Sequence, residues 1–367
     1  MRFAMIGTRG IPARYGGFET AVEEVSLRLV DRGHDVIVYN RADQRGINSW
    51  CGVHVVELPA LKKKQLETLS HTFLSVFHAR RQPVDAAVVF NAANSFFVPI
   101  LKRAGVPTAL HMDGLEWQRS KWGRVGKTYY RLAEHRGVHV ADALIADAQG
   151  IADYYRQRYA ASTELIAYGA PVRPRKETDT AAISRFGVQP NEYHLVVARF
   201  EPENHVAEIV RGYVTSDAKL PLVVVGCNPY PGEYTRKIER LAADERVRLT
   251  GSIWHQELLD ALYANCRSYL HGHSVGGTNP SLLRAMGAGA PCIAWDVVFN
   301  REVLSSSALF FSDVADLQQH LRAVEEDEVG ALAMGEANRV RASSAYTWDD
   351  VAIKYEALLV RLAETSK

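Results

Sequence analysis

The stretch His271-Gly272-His273-Ser274-Val275-Gly276-Gly277-Thr278-Asn279-Pro280-Ser281-Leu282-Leu283-Arg284-Ala285-Met286-Gly287-Ala288-Gly289-Ala290-Pro291 decides how this chain is read. It follows the apolar run Ser268–Leu270 and leads into Pro291–Ala294, so its order is strand, glycine loop, helix, glycine turn, strand. That order is one unit of a parallel α/β sheet. The glycine loop offers backbone N–H groups to whatever sits above the helix N-terminus, and Thr278 and Asn279 add hydrogen bonds suited to sugar hydroxyls or phosphate. His271 and His273 point to one face at the strand end, but no carboxylate lies close in sequence, which disfavours a metal site.

Outward from this stretch the same alternation runs through the chain. In the first half, strands are expected near Phe3–Ile6, Asp35–Tyr39, Val53–Glu57, Ala86–Phe90, Thr108–Leu110, Ala143–Ala146 and Glu164–Ala167. Helices fill the gaps, notably Thr20–Asp31, where apolar residues recur every three to four positions. Around Tyr168–Pro190 the periodicity lapses into a polar stretch with the composition of a boundary. A second series follows, with strands at Leu195–Ala198, Pro221–Val225, Val247–Leu249, Ser268–Leu270, Pro291–Ala294 and Ala308–Phe311. The last of three closing helices runs from about Trp348 to Ala363, with an apolar face of Val351, Ile353, Tyr355, Leu358, Leu359 and Leu362. The expected class is α/β, with two parallel-sheet domains whose strand C-terminal edges and helix N-termini lie beside a shared cleft.

Length and charge agree with that reading. A chain of 367 residues suits two domains of ordinary size. Its 43 Lys and Arg balance 42 Asp and Glu, so the molecule has no general field to gather nucleic acid, and no nucleic-acid partner is expected. Cys51, Cys227, Cys266 and Cys292 are scattered, without C-x-x-C spacing, which favours reduced thiols in a cytoplasmic compartment. The opening Met1–Gly7 runs straight into a strand pattern, so export is not expected. Nowhere do 18 consecutive apolar residues occur, so any membrane contact would be peripheral.

Three further clusters carry chemistry. The loop from Gly7 to Thr20 contains Arg9, Arg14, Tyr15, Gly16 and Gly17 ahead of a long helix, an arrangement that can hold an anion or serve as a structural turn. It is not a dinucleotide fingerprint, because G-x-G-x-x-G is absent. The block His111-Met112-Asp113-Gly114-Leu115-Glu116-Trp117-Gln118-Arg119-Ser120-Lys121-Trp122 sets aromatic faces beside carboxylates, which suits a sugar ring. Asp113 or His111 could contact an acceptor hydroxyl, or cap a helix instead. Arg199, in Arg199-Phe200-Glu201-Pro202-Glu203-Asn204, stands at a strand end where its guanidinium could fork onto a diphosphate or pair with another domain.

Taken together, these blocks resemble retaining glycosyltransferase family 4 of the GT-B fold, and within it the rhamnosyltransferase-like enzymes of bacterial polysaccharide biosynthesis. The resemblance rests on G-T-R-G-I-P-x-x-Y-G-G-F-E-T, D-G-L-E-W-x-R-x-K-W, R-F-x-P-E-N, H-S-V-G-G-T-N-P-S-L-L, F-N-R-E-V and the closing tryptophan-bearing helix. It implies an acceptor-binding Rossmann-like domain over residues 1–170, a nucleotide-sugar-binding one over 190–345, and a C-terminal helix over 346–367 returning to the first. Gly16 and Gly17 would approach the donor phosphates and Arg199 would hold the diphosphate, with Gly276, Gly277, Thr278, Asn279, Pro280 and Glu302 around the transferred sugar. Arg14, Tyr15, Glu116 and Trp117 would face the acceptor. A lysine common in the wider family is replaced by Asn204, and its two glutamates by Gly276 and Arg284. Arg284 cannot accept a hydrogen bond from a ribose diol, which leaves two readings: a deoxyribose donor such as a dTDP-sugar, dTDP-rhamnose being the one the resemblance favours, or a donor bound unusually or poorly.

Retention without an evident enzymatic nucleophile implies a front-face displacement, with Asp113, His111 and Arg199 the catalytic candidates. Neither D-x-D nor a ligand cluster appears, so no cofactor and no obligatory metal are expected. Lys62-Lys63-Lys64, the apolar Leu66, Leu69, Phe73, Leu74, Val76 and Phe77, and Arg80-Arg81 form a basic amphipathic segment. It could rest on an anionic membrane leaflet and present a lipid-linked saccharide acceptor, or be a core helix with solvated ends. A nucleotide-sugar epimerase of the same fold, a non-catalytic nucleotide-sugar-binding protein and a dehydrogenase are the rival readings.

Overall fold

The structure is a computed structural model that describes residues 1–13, 16–42, 46–61, 63, 66–172, 180–228 and 232–365. Two compact units divide the chain. The first holds Met1–Gln118, Trp122–Tyr168 and the chain from Trp348 onward; the second holds Arg119–Lys121 and Gly169–Thr347.

Unit 1 runs β1 (Arg2–Ile6), α1 (Gly17–Asp31), β2 (Asp35–Arg41), β3 (Ser49–Trp50), β4 (Val53–Leu58), α2 (Glu67–Ala79), β5 (Ala86–Phe90), α3 (Val98–Lys102), β6 (Thr108–His111), α4 (Arg124–Val140), β7 (Ala143–Ala146), α5 (Gln149–Tyr159) and β8 (Glu164–Leu165). Among the described residues its sheet has the order β3-β4-β2-β1-β5-β6-β7-β8. Phe3 to Ile6 of β1 and all of β5 are buried, because helices cover both faces of a parallel sheet and its strands read as continuous apolar runs. The strand β2 runs two residues past the expected Tyr39. Its polar end is satisfied internally: Asn40 accepts from the Ile11 amide (3.0 Å) and donates to the Ile11 carbonyl (2.6 Å), while Arg41 pairs with Glu67 at 3.0 Å. The antiparallel edge strand β3, paired as Ser49↔His54 and Trp50↔Val53, was not expected, since two residues carry no periodicity.

Unit 2 runs β9 (His194–Val197), α6 (Val206–Val214), β10 (Leu222–Val225), α7 (Glu233–Leu241), β11 (Val247–Gly251), α8 (Gln256–Asn265), β12 (Ser268–His271), α9 (Pro280–Gly287), β13 (Cys292–Trp295), α10 (Val298–Leu304), β14 (Leu309–Phe311), α11 (Val314–Glu326) and α12 (Glu328–Ala345). Its sheet, parallel throughout the described strands, has the order β11-β10-β9-β12-β13-β14. The core beneath α6 and α11 gathers Val196, Ile209, Val210, Tyr213, Val224, Leu270, Ile293, Phe311, Leu317 and Leu321.

The last helix, α13 (Trp348–Thr365), belongs to unit 1. Arg28 of α1 reaches Asp349 at 2.6 Å, and Arg32 and His34 both reach Glu356, at 3.1 and 2.8 Å. Val351, Tyr355, Leu358, Leu359 and Leu362 are buried as expected, but Ile353 is 44% exposed. Two residues past Val351 the helix has turned by roughly 200°, which carries Ile353 off the core face. Among the described residues no helix is long and apolar enough to cross a membrane.

In each sheet the strand order reverses direction once, and the loops leaving the two strands at that point flank a crevice. In unit 1 those strands are β1 and β5; in unit 2 they are β9 and β12. Both fold expectations, two parallel-sheet units and a closing helix on the first, hold.

Candidate functional site

In unit 2 the loops leaving β9, β12 and β13 are tied together by buried polar contacts. Asn204 donates to the Arg199 carbonyl (2.8 Å) and its side-chain oxygen lies 2.7 Å from His273 Nδ1. Ser274 donates its amide to the Glu203 carbonyl at 2.9 Å, and His205 Nδ1 lies 2.7 Å from the Gly272 carbonyl. The His205 ring stacks on Trp295 with centroids 3.8 Å apart and planes 15° from parallel. Asn300 of α10 donates to the His273 carbonyl (2.9 Å) and the Trp295 carbonyl (2.8 Å). Gly272 is required here, because a Cβ on it would lie 2.2 Å from the Asn204 carbonyl oxygen.

This scaffold aims the glycine loop at the N-terminus of α9. Asn279 caps that helix by accepting from the Ser281 amide at 2.9 Å, and Pro280 fills the first turn. Gly276 takes φ 132°, a region that disfavours any side chain, and it, Gly277 and Thr278 are buried. Arg199 follows β9 and is exposed, and its charge is felt at His273 of the β12 loop. A helix N-terminus and a guanidinium are both groups that attract anions. Burial holds the His273 imidazole well below its usual range, with Arg119, His271 and Arg199 adding to the effect, so it is neutral.

Arg284 is held away from that loop's amides by its own partners. Its guanidinium contacts Asp260 of α8 at 2.6 Å, the Gln256 side chain, and the Gln256 carbonyl at 3.2 Å. Glu302 lies half-buried on α10, its carbonyl accepting from Arg341 at 2.9 Å.

In unit 1 the β1–β5 crevice is closed tightly. Gly7 has φ 104°, and a Cβ on it would lie 2.6 Å from the Phe90 carbonyl oxygen. Gly16 precedes α1 with φ 105° and Gly17 begins the helix, which has no side-chain cap. Arg14 and Tyr15 lie outside the described residues. His111 is fully buried, its ring stacked on Phe90 and Tyr168 and edge-on to Phe18. Burial alone lowers its pKa to about 3, so it is neutral, and its Nδ1 accepts from the Asp113 amide at 3.2 Å. That bond holds Asp113 in a left-handed conformation (φ 59°) at the C-terminal edge of β6. Glu116 is buried and accepts from the Trp122 indole at 3.2 Å, and the Trp117 ring carries the Arg131 guanidinium 4.4 Å above it.

The chemical types were legible in the sequence, but the partners were not. Asn300 sits inside the F-N-R-E-V block without having drawn a role, and the stack of His205 on Trp295 joins residues ninety positions apart. Among the described residues no three His, Cys, Asp or Glu side chains gather as a metal site.

Two tandem parallel-sheet units define a class, and the comparisons agree. A "Glycosyl transferase 4-like domain" model matches residues 16–169, and a "Glycosyl transferases group 1" model matches 184–341. The two models span most of the chain, which belongs to the GT-B glycosyltransferases.

Among solved structures, sucrose-phosphate synthase from Thermosynechococcus elongatus superposes with a TM-score of 0.83 over 99% of each chain, at 18% identity. HepE from Anabaena, solved in complex with UDP-glucose, gives 0.79 over 98% of this chain and 100% of its own, at 16% identity. Likeness at that identity bears on the fold. The GtfA subunit of a UDP-N-acetylglucosamine–peptide N-acetylglucosaminyltransferase from Streptococcus gordonii is 30% identical over 114 residues. That match covers 30% of this chain and 22% of the relative, so the chain spans only a fraction of that protein's length.

Proposed function

We propose that this protein transfers a hexosyl or deoxyhexosyl unit, specifically rhamnose from dTDP-rhamnose, onto a saccharide acceptor with retention at the anomeric carbon. The observation that supports the reading is the β9–β12 switch point, whose loops carry the exposed Arg199 and the glycine loop that leads into the N-terminus of α9. Unit 2 holds the donor. Unit 1 contributes Gly16 and Gly17 toward the donor phosphates, and holds the acceptor through Asp113, Glu116, Trp117, Arg14 and Tyr15, with His111 positioning Asp113.

In the displacement the anomeric C–O bond to the diphosphate breaks as the bond to the acceptor oxygen forms on the same face. The acceptor proton passes to the leaving diphosphate oxygen, and Arg199 and the loop amides stabilise the charge that develops there. Arg284, occupied by Asp260 and Gln256, offers a ribose diol no acceptor, which supports a deoxyribose nucleotide. A lipid-diphosphate-linked saccharide is the acceptor we favour, because α2 turns Phe73 (42% exposed) and Leu74 (36%) outward, with Lys63, Arg80 and Arg81 at its ends. Lys62 and Lys64 of that segment lie outside the described residues.

A thermal-shift titration with dTDP, UDP, GDP and NAD tests the donor side. Selective stabilisation by dTDP is expected. Stabilisation by UDP or GDP alone removes the deoxyribose explanation of Arg284, and no response to any nucleotide removes the transferase reading.

A further inference from the structure

His271 ends β12 directly beneath the glycine loop. It lies on the same strand face as Tyr269, two residues back, and Tyr269 bonds Ser281 in the first turn of α9. The His271 side chain therefore shares the face covered by the start of α9 and the loop leading into it. It is 3% exposed, its Nδ1 lies 3.1 Å from the Tyr269 hydroxyl, and its Nε2 is buried without a hydrogen-bond partner.

The state of Nε2 follows from counting protons. Ser281 Oγ lies 3.1 Å from the Val197 carbonyl, 2.8 Å from the Tyr263 hydroxyl and 2.6 Å from the Tyr269 hydroxyl. A serine has one proton to give, and the carbonyl can only accept. With that proton on Val197, the Ser281 oxygen accepts from both phenols. Tyr269 has then used its proton, so its oxygen accepts from His271 Nδ1–H, and Nε2 is left as a bare lone pair. The opposite tautomer, with Tyr269 donating to Nδ1, leaves either the Val197 carbonyl or the 2.6 Å oxygen pair without a proton. Burial lowers the His271 pKa to about 3, so the ring stays neutral.

A buried acceptor without a donor is costly, and a ligand can supply the donor. The neighbouring helix end and Arg199 recruit an anion, but phosphate oxygens bring no proton to a lone pair. A sugar hydroxyl does. We propose that His271 Nε2 accepts a hydrogen bond from a hydroxyl of the sugar carried by the donor, making His271 a determinant of sugar rather than nucleotide recognition.

The inference rests on the donor site proposed above, and one calorimetric series separates the two. Wild type, His271→Phe and Tyr269→Phe are titrated with dTDP, dTDP-rhamnose, UDP and UDP-glucose. His271→Phe weakens the preferred sugar nucleotide by about tenfold or more and leaves its nucleoside diphosphate unchanged. Tyr269→Phe removes the Nδ1 acceptor, lets the proton move to Nε2, and produces the same selective loss. Equal loss of both ligands, or loss of neither, overturns the proposal. If the variants do not fold, the ¹⁵N signal of His271 Nε2 in wild type decides: it moves toward the protonated range with the sugar nucleotide but not with the nucleoside diphosphate, and an equal response to both overturns the proposal. Wild type that binds no nucleotide removes the donor site itself.

Discussion

At the scale of single residues, Asn204 shows how a motif position can change its work. The wider family's lysine would add a cation, whereas here the amide joins the Arg199 carbonyl to His273 in a buried setting. Asn204→Lys should therefore lower the melting temperature and weaken nucleotide binding rather than restore a phosphate contact; a gain in affinity at unchanged stability would contradict this. Arg199, exposed at the end of β9, is different. Arg199→Ala should cost about 10- to 100-fold in nucleoside diphosphate affinity, measured by calorimetry, with little change in melting temperature.

A titration prediction belongs to Glu134 of α4. Burial raises its pKa to about 7, against the opposing pull of hydrogen bonds from Tyr154 and Tyr159 and the charges of Arg131 and Arg158. A carboxyl whose folded pKa lies above its unfolded value binds more protons folded than unfolded between the two. Its contribution to stability therefore falls as pH rises from about 4.5 to about 7 and is level above that. Glu134→Gln should flatten this part of the melting-temperature profile, and an unchanged profile would show that other groups carry it.

At the scale of elements, the strands were legible because parallel strands buried on both faces read as apolar runs, as Ala86–Phe90 does. What escaped was local or long-range. The two residues of β3 leave no pattern, and polar Asn40 and Arg41 hid the end of β2 until Ile11 and Glu67 were seen to satisfy them. In the site, residue types were readable, but the pairing of Arg284 with Asp260 needs α8 and α9 side by side, which no spacing reveals.

Gly272→Ala tests the loop scaffold. Its Cβ would meet the Asn204 carbonyl at 2.2 Å and Ile209 at 3.0 Å, so the β9 and β12 loops must part. A loss of about 1–3 kcal/mol in stability, read by denaturant unfolding, should accompany weakened nucleotide binding. The outward face of α2 makes a separate prediction: wild type sediments with anionic vesicles more than with zwitterionic ones, and Phe73→Asp with Leu74→Asp abolishes the difference.

At the scale of the whole molecule, near-neutral net charge and two similar sheets conceal different local chemistry. In unit 2, Asn204, His205, His273 and Asn300 tie together the loops at the β9–β12 switch point. Unit 1 closes its own with Gly7 packed on Phe90 and an aromatic box around His111. The central claim is that the sugar nucleotide belongs to the first of these. Hydrogen exchange read by mass spectrometry, with and without saturating dTDP-rhamnose, tests it most directly. Slowed exchange is expected in the segments leaving β9 and β12, residues 198–206 and 272–284; protection confined to unit 1, or none at a concentration that raises the melting temperature, would rule out a donor site in unit 2.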